Sequence, residues 1–140
     1  MTRDVIVAPA SLSIADAWRI LQRENIRHLP ITESGRLVGI VSDRDLLCAG
    51  RLHTSGELVF PDHTIAKIMT LRPIACLPST SVAEAARLMR DKKIDALPIV
   101  VNDRLVGLVT STDLLSLLVD SAPTHTLPFD FRVTEAELTA

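Results

Sequence analysis

Gly39-Ile40-Val41-Ser42-Asp43-Arg44-Asp45-Leu46-Leu47 and Gly107-Leu108-Val109-Thr110-Ser111-Thr112-Asp113-Leu114-Leu115 are two copies of one segment, position 39 against position 107, an offset of 68. The same offset carries Ile26, Leu29, Pro30 and Ile31 onto Ile94, Leu97, Pro98 and Ile99. It also carries Ser11, Ser13, Ala15, Ala17 and Arg19 onto Ser79, Ser81, Ala83, Ala85 and Arg87, and Met1-Thr2 onto Met69-Thr70. No gap is needed. Chance matching does not hold one register over this distance, so the chain is a tandem repeat of one supersecondary unit. Such units repeat because one alone cannot bury its apolar face.

Each copy reads the same way. A short apolar run, residues 5–8 in the first copy, predicts a buried strand that Pro9 ends. Ser13 is an expected helix N-cap. Its counterpart Ser81 has Glu84 three positions on, the pattern of a capping box, and Asp16 takes that place in the first copy. Ile14, Ala17, Trp18 and Leu21 then recur at helical spacing, as do Val82, Ala85, Ala86 and Met89. Asn25 and Lys93 mark the helix ends. A hairpin comes next, with arms at 27–32 and 37–41 around Glu33-Ser34-Gly35-Arg36, and in the second copy at 95–101 and 105–109 around Asn102-Asp103. Pro30 and Pro98 inside the first arms predict an edge or an interruption of pairing. Second helices are expected at 43–49 and 111–118, capped by Ser42 and Thr110. The unit is therefore β-α-β-β-α.

Residues 51–63 read as a linker loop, with Gly56, Pro61 and Asp62. Thr64 is placed to cap one helical turn at 65–69. From residue 121 the character changes: Pro123, Thr124, Thr126 and Pro128 predict a loop. Phe129, Phe131 and Val133 alternate with polar residues as in a short edge strand. A tail that carries two of the three phenylalanines is expected to dock on the body of the protein or on a partner. The expected segments are 1–50, 51–63, 64–120 and 121–140.

Composition narrows the function classes. The 140 residues are 47% hydrophobic but only 3% aromatic, which requires an aliphatic core. A net charge of −2 argues against a general nucleic-acid or anionic-membrane surface, while leaving room for a small anion held by placed basic groups. No apolar run approaches the roughly 20 residues that cross a bilayer. The repeat begins at once, leaving no room for a signal peptide, so a cytoplasmic protein is expected. Cys48 and Cys76 occupy non-equivalent repeat positions and read as two reduced, mostly buried thiols rather than a disulfide or metal pair. His53 and His63 flank the linker with no third metal ligand. Neither a GxxxxGK[ST] nor a GxGxxG motif is present, and no nucleophile with a base or paired catalytic carboxylates stands out, so no enzyme is expected.

Two gapless β-α-β-β-α copies, with Leu-Pro-Ile in the middle strand and Gly-aliphatic-aliphatic-Ser/Thr-x-x-Asp-Leu-Leu at the end, resemble a tandem pair of CBS domains, named for cystathionine β-synthase. The resemblance covers about residues 1–118. It implies an α/β fold of two repeats packed through their sheets with pseudo-two-fold symmetry. It also implies clefts between the repeats that take adenosine compounds: AMP or ATP foremost, with ADP, NAD and S-adenosylmethionine in the same class. The implied role is regulatory and energy-sensing, with no required cofactor and a separate regulated protein. The competing reading is an assembly module whose nucleotide sites do not function.

The residues that would carry such binding can be judged on their chemistry. A carboxylate accepts from both vicinal hydroxyls of a ribose, and the resemblance places Asp45 and Asp113 there with Ser42 and Thr110 beside them. The plainer alternative for both aspartates is helix capping. Arg44 and Thr112 are where the copies differ. An arginine at a helix start suits phosphate oxygens, its alternative being an ion pair with Asp43, Glu24 or another acid. The resemblance implies that the chain two before each proline, at His28 and Ala96, lines the adenine slot through backbone groups, with His28 able to stack on or bond to the base. The plainer alternative for His28 is an ordinary surface or core histidine. Trp18 and the run Leu114-Leu115-Ser116-Leu117-Leu118-Val119 are more apolar than one small unit needs, which points to a homodimer.

Overall fold

A computed structural model of the chain describes residues 4–137, so the match of Met1-Thr2 to Met69-Thr70 lies outside the described residues. Each half begins with a helix, α1 (Ile14–Glu24) and α3 (Val82–Lys92). Ser13 Oγ accepts from the Asp16 amide and Ser81 Oγ from the Glu84 amide, satisfying donors that the first turn leaves without partners. At Ser81 that single bond replaces the expected reciprocal box. Both helices end on a residue in the left-handed region, Asn25 (φ 52°) and Lys93 (φ 54°), as the sequence suggests.

The hairpins are β1 (His28–Glu33) with β2 (Arg36–Ser42), and β6 (Ala96–Val101) with β7 (Arg104–Thr110). Their two-residue turns, Ser34-Gly35 and Asn102-Asp103, have positive φ at both positions, the geometry that matches the twist of paired strands. A register shift recurs at the same place in both, between Ile31 and Thr32 and between Ile99 and Val100. The helices α2 (Asp43–Ala49) and α4 (Ser111–Ser121) close the halves, the latter three residues longer than expected.

The expected first strands are reduced to single parallel bridges, Ala8 to Ile31 and Cys76 to Ile99. The prolines explain this. The Ala8 amide donates to the Pro30 carbonyl (3.2 Å) and the Thr32 amide to the Ala8 carbonyl (2.9 Å). The next rung would need an N–H from Pro30, which proline lacks. Cys76 repeats the pattern with Pro98 and Val100. Pairing stops there, and the chain before each bridge is left to line a cavity.

Both hairpins belong to one sheet, ordered β1-β2-β7-β6, with β1 and β6 at its edges. They meet at their turns. Arg36 pairs with Arg104, the Leu37 amide donates to the Asp103 carbonyl (3.0 Å), and the Leu105 amide donates to the Gly35 carbonyl (3.1 Å). Each bond maps onto the other under the repeat offset, so a pseudo-two-fold axis passes between Arg36 and Arg104. The hydrophobic cores stay separate, one around Leu21, Leu29, Ile31 and Leu46, the other around Ala85, Met89 and Leu97.

The linker is more ordered than a loop. It forms a small ladder, β3 (Arg51–Leu52) with β4 (Leu58–Val59), and Phe60 packs on Trp18 with ring centroids 5.7 Å apart. Trp18 is thereby half-buried within the chain rather than standing bare. The expected turn at 65–69 is a shorter 3₁₀ helix, Ile65–Lys67, and Thr64 makes no side-chain cap. Strand β5 (Thr70–Leu71) then pairs with β2 beside Gly39. A Cβ on Gly39 would lie 2.7 Å from Met69 Sδ and 3.0 Å from the Thr70 carbonyl oxygen, so this crossing requires glycine. Residues 122–137 form no helix or paired strand and are exposed, without the expected edge strand. Phe129 and Phe131 contact each other edge-on at 6.4 Å. Cys48 is also exposed, contrary to expectation, because it lies off the Leu46 side of α2 that faces the core. No described helix is long and apolar enough to cross a membrane.

Candidate functional site: two related clefts

The segment that repeats most closely forms the same structure twice. Ser42 caps α2 by accepting from the Asp45 amide (3.1 Å), while Asp45 Oδ2 accepts from the Ser42 amide (2.9 Å). Thr110 and Asp113 do the same for α4, at 3.3 and 2.8 Å. These are complete capping boxes, with aspartate where glutamate is usual. Capping and ligand contact, weighed as alternatives from sequence, are not exclusive. A carboxylate has about four acceptor positions and the box uses one oxygen of Asp45. All four side chains are half-buried, and each pair lines a cavity.

The α2 cleft holds about 330 Å³ and the α4 cleft about 310 Å³. Both are within the range of small-molecule sites. Most of their lining positions correspond under the repeat offset. Ile40, Ser42, Arg44 and Asp45 line the α2 cleft where Leu108, Thr110, Thr112 and Asp113 line the α4 cleft. Arg72, Pro73 and Ile74 likewise match Asp4, Val5 and Ile6. These last segments are the stretches freed by the interrupted first strands. Each cleft is therefore built from both halves: the helix start of one, and the approach to the edge strand of the other.

The residues singled out from sequence fall on these walls. Ser42, Arg44, Asp45 and Ala96 line the α2 cleft, Thr110, Thr112 and Asp113 the α4 cleft, and His28 lines both. Burial holds the His28 pKa below the ordinary 6.5, with Asp43 opposing that shift, so the ring is neutral at pH 7. Arg44 forms no ion pair among the described residues. Asp43 instead takes Arg27 Nε (3.2 Å) and accepts from the Arg44 amide, while Glu24 is engaged by Arg23. Sequence reading missed Arg27, Arg72, Lys93 and Asp95. Arg27 and Asp95 are repeat counterparts and line both clefts, forming a wall held in common. The offset could have paired them, but nothing local announces that residues 72–74 reach the helix start of the other half. His53 hydrogen-bonds Ser55 within the linker, away from both clefts.

The family model for the CBS domain matches residues 1–51 and 65–120. A homoserine O-acetyltransferase of Methanohalobium evestigatum is 31% identical over 84% of this chain, which spans only 23% of that enzyme. A CBS domain-containing protein of Dictyostelium discoideum is 30% identical over 85% of this chain and 88% of its own length. Among solved structures, the CBS domain pair of protein MJ0100, in complex with 5′-methylthioadenosine and S-adenosyl-L-methionine, superposes with a TM-score of 0.74. It is 33% identical, over 86% of this chain and 93% of that one. The cytosolic domain of the Mg²⁺ channel MgtE in complex with ATP gives 0.67 at 30% identity, over 84% of this chain and 46% of that one.

Proposed function

Because the chain belongs to the CBS domain family, we propose that it is a regulatory module that binds adenosine-containing ligands in its α2 and α4 clefts. The carrying observation is the pair of clefts, matched at most lining positions, each with an Asp-closed helix start on its wall. Asp45 and Asp113 are assigned to the ribose hydroxyls, with Ser42 and Thr110 beside them. His28 and Ala96 are assigned to the base, and Arg44 to phosphate, with Thr112 at its counterpart position. The two structural relatives bind S-adenosyl-L-methionine with 5′-methylthioadenosine and ATP, which supports this ligand class. The module performs no chemistry of its own in this reading. It passes its occupancy to a separate protein.

Calorimetry against AMP, ADP, ATP, NAD and S-adenosylmethionine tests the reading. Asp45→Ala and Asp113→Ala should each weaken one site by about 2–3 kcal/mol, roughly 30- to 150-fold. The 2′-deoxy ligands should lose a similar factor on the wild type. Arg44→Ala should weaken phosphorylated ligands and spare adenosine. Wild-type binding by both aspartate variants would remove the assignment.

A second reading, that the module mainly assembles, is favoured by α4. Leu115, Leu117, Leu118 and Val119 are all exposed, and the tail does not cover them. A two-fold dimer through α4 would bury them. Sedimentation of the full chain and of a chain ending at Asp120 should give a dimer in both. A full-length monomer that associates only after truncation would place the tail on α4 instead.

A further inference from the structure

Resting on the adenosine reading of the two clefts, we propose that they select opposite 5′ chemistry. The α2 cleft takes a phosphorylated adenosine compound, and the α4 cleft takes one whose 5′ substituent is uncharged or cationic. The basis is a comparison at equivalent wall positions. Arg44 in the α2 cleft corresponds to Thr112 in the other, Arg72 to Asp4, and Lys93 to Asn25. In all three, the α2 cleft carries a cation where the α4 cleft carries a neutral or acidic group. The volumes are nearly equal, so size does not distinguish the clefts and charge does.

The wall held in common does not restore the balance. Arg27 borders both clefts, but its Nε is bonded to Asp43, which lines the α2 side. Asp95 is shared as well, and His28 adds no positive charge at neutral pH because burial lowers its pKa. Among the described residues, a phosphate entering the α4 cleft would meet Asp4 and Thr112 at the two positions where the α2 cleft offers Arg72 and Arg44, leaving the shared Arg27 as the one arginine on that wall. Asp4 is exposed, so it repels a like charge through solvent, at a range set by the ionic strength. An uncharged 5′ group meets no such cost.

The test is calorimetry on the full chain at about 0.1 M salt, where exposed charges are still felt within roughly 10 Å, using AMP and 5′-methylthioadenosine as probes. Asp45→Asn and Asp113→Asn, which keep an acceptor oxygen for the cap, are used to silence one cleft at a time. Thermal unfolding of each variant confirms that it folds. AMP binding in the α2 cleft should weaken with Asp45→Asn by up to the roughly 30- to 150-fold expected of Asp45→Ala and persist with Asp113→Asn, the wild-type α4 cleft binding AMP about 10- to 100-fold more weakly than the α2 cleft. 5′-Methylthioadenosine should bind the α4 cleft at least as well as the α2 cleft. Asp4→Asn combined with Thr112→Arg should raise the affinity of the α4 cleft for AMP about tenfold relative to its affinity for 5′-methylthioadenosine. AMP filling both clefts within about threefold, or surviving Asp45→Asn undiminished, would overturn the inference while leaving the sites standing. Binding of both probes unaffected by either variant would remove the sites themselves, and this inference with them.

Discussion

Leu46 and Leu114 occupy the same place in two copies of one unit, yet Leu46 is fully buried while Leu114 is only half-buried. The contrast runs through the two halves. Ile31 and Val41 are sealed, whereas Ile99 and Val109 are partly open. Ile14 is 1% exposed and its counterpart Val82 is 57% exposed. The difference lies not in the repeated unit but in the chain that leaves it. After the first copy the linker returns across the core: Ile65 is buried, Phe60 meets Trp18, and the Ile14 amide donates to the His63 carbonyl (3.0 Å). After the second copy the corresponding stretch is the tail, where Val133, the positional counterpart of Ile65, is 97% exposed. The same residues in the same fold are thus worth different amounts, because burial is set by neighbours far along the chain.

The contrast is tested most severely in the two cores. Ile14→Ala should cost about 2–5 kcal/mol in urea unfolding, since it empties a sealed site. Val82→Ala should stay within about 0.5 kcal/mol. Equal losses would mean that the second core is covered as the first is. A smaller contrast is expected at the glycines. Gly39→Ala should cost about 1–3 kcal/mol, because the new methyl presses on Met69 and the Thr70 backbone. Among the described residues, a methyl on Gly107 meets Ile99 at 3.4 Å, an ordinary contact, so Gly107→Ala should be close to neutral. A costly Gly107→Ala would show that a strand equivalent to β5 also crosses β7.

The smallest effect belongs to His28, whose repeat counterpart is Ala96. Its pKa is lowered by burial, so the unfolded chain binds this proton more readily than the folded one. Stability contributed by neutral His28 is therefore complete above the unfolded value near 6.5 and is lost as pH falls below it toward the lower folded pKa. His28→Gln should flatten the pH dependence of unfolding in that window. An unchanged slope would show that the ring is solvated in solution.

Legibility in the sequence divides along the same line, between local and distant neighbours. The caps at Ser13, Ser42, Ser81 and Thr110, the helix ends at Asn25 and Lys93, and the two-residue turns are decided within a few residues of chain, and the repeat states each twice. The prolines could be read as breaks in pairing. The missing Pro30 N–H as the reason the first strand shrinks to one bridge needed the partner's register. The linker misled because Leu58-Val59-Phe60 is a run too short to show a period, and Ile65 stands apart from it, so neither declares a covering role. The cleft walls were half legible. Asp45 and Asp113 stand in a motif, whereas Arg72 and Lys93 matter only because the fold brings them beside the other half's helix. Trp18 looked like surface for a partner because nothing in its own helix foretells Phe60.

The wall of Arg27, His28 and Asp95 has one more consequence. Two cavities that share three lining side chains, if both take ligands as proposed, have a direct physical route by which one can influence the other. Whatever torsion or charge one guest imposes on that wall is the boundary condition its neighbour meets. Any free energy by which the first guest helps or hinders the second must be returned in equal measure when the order is reversed. On the proposed reading, the signal such a module would carry is not the concentration of either guest but their joint occupancy. The partition between the rooms, more than either room, is where that signal is composed.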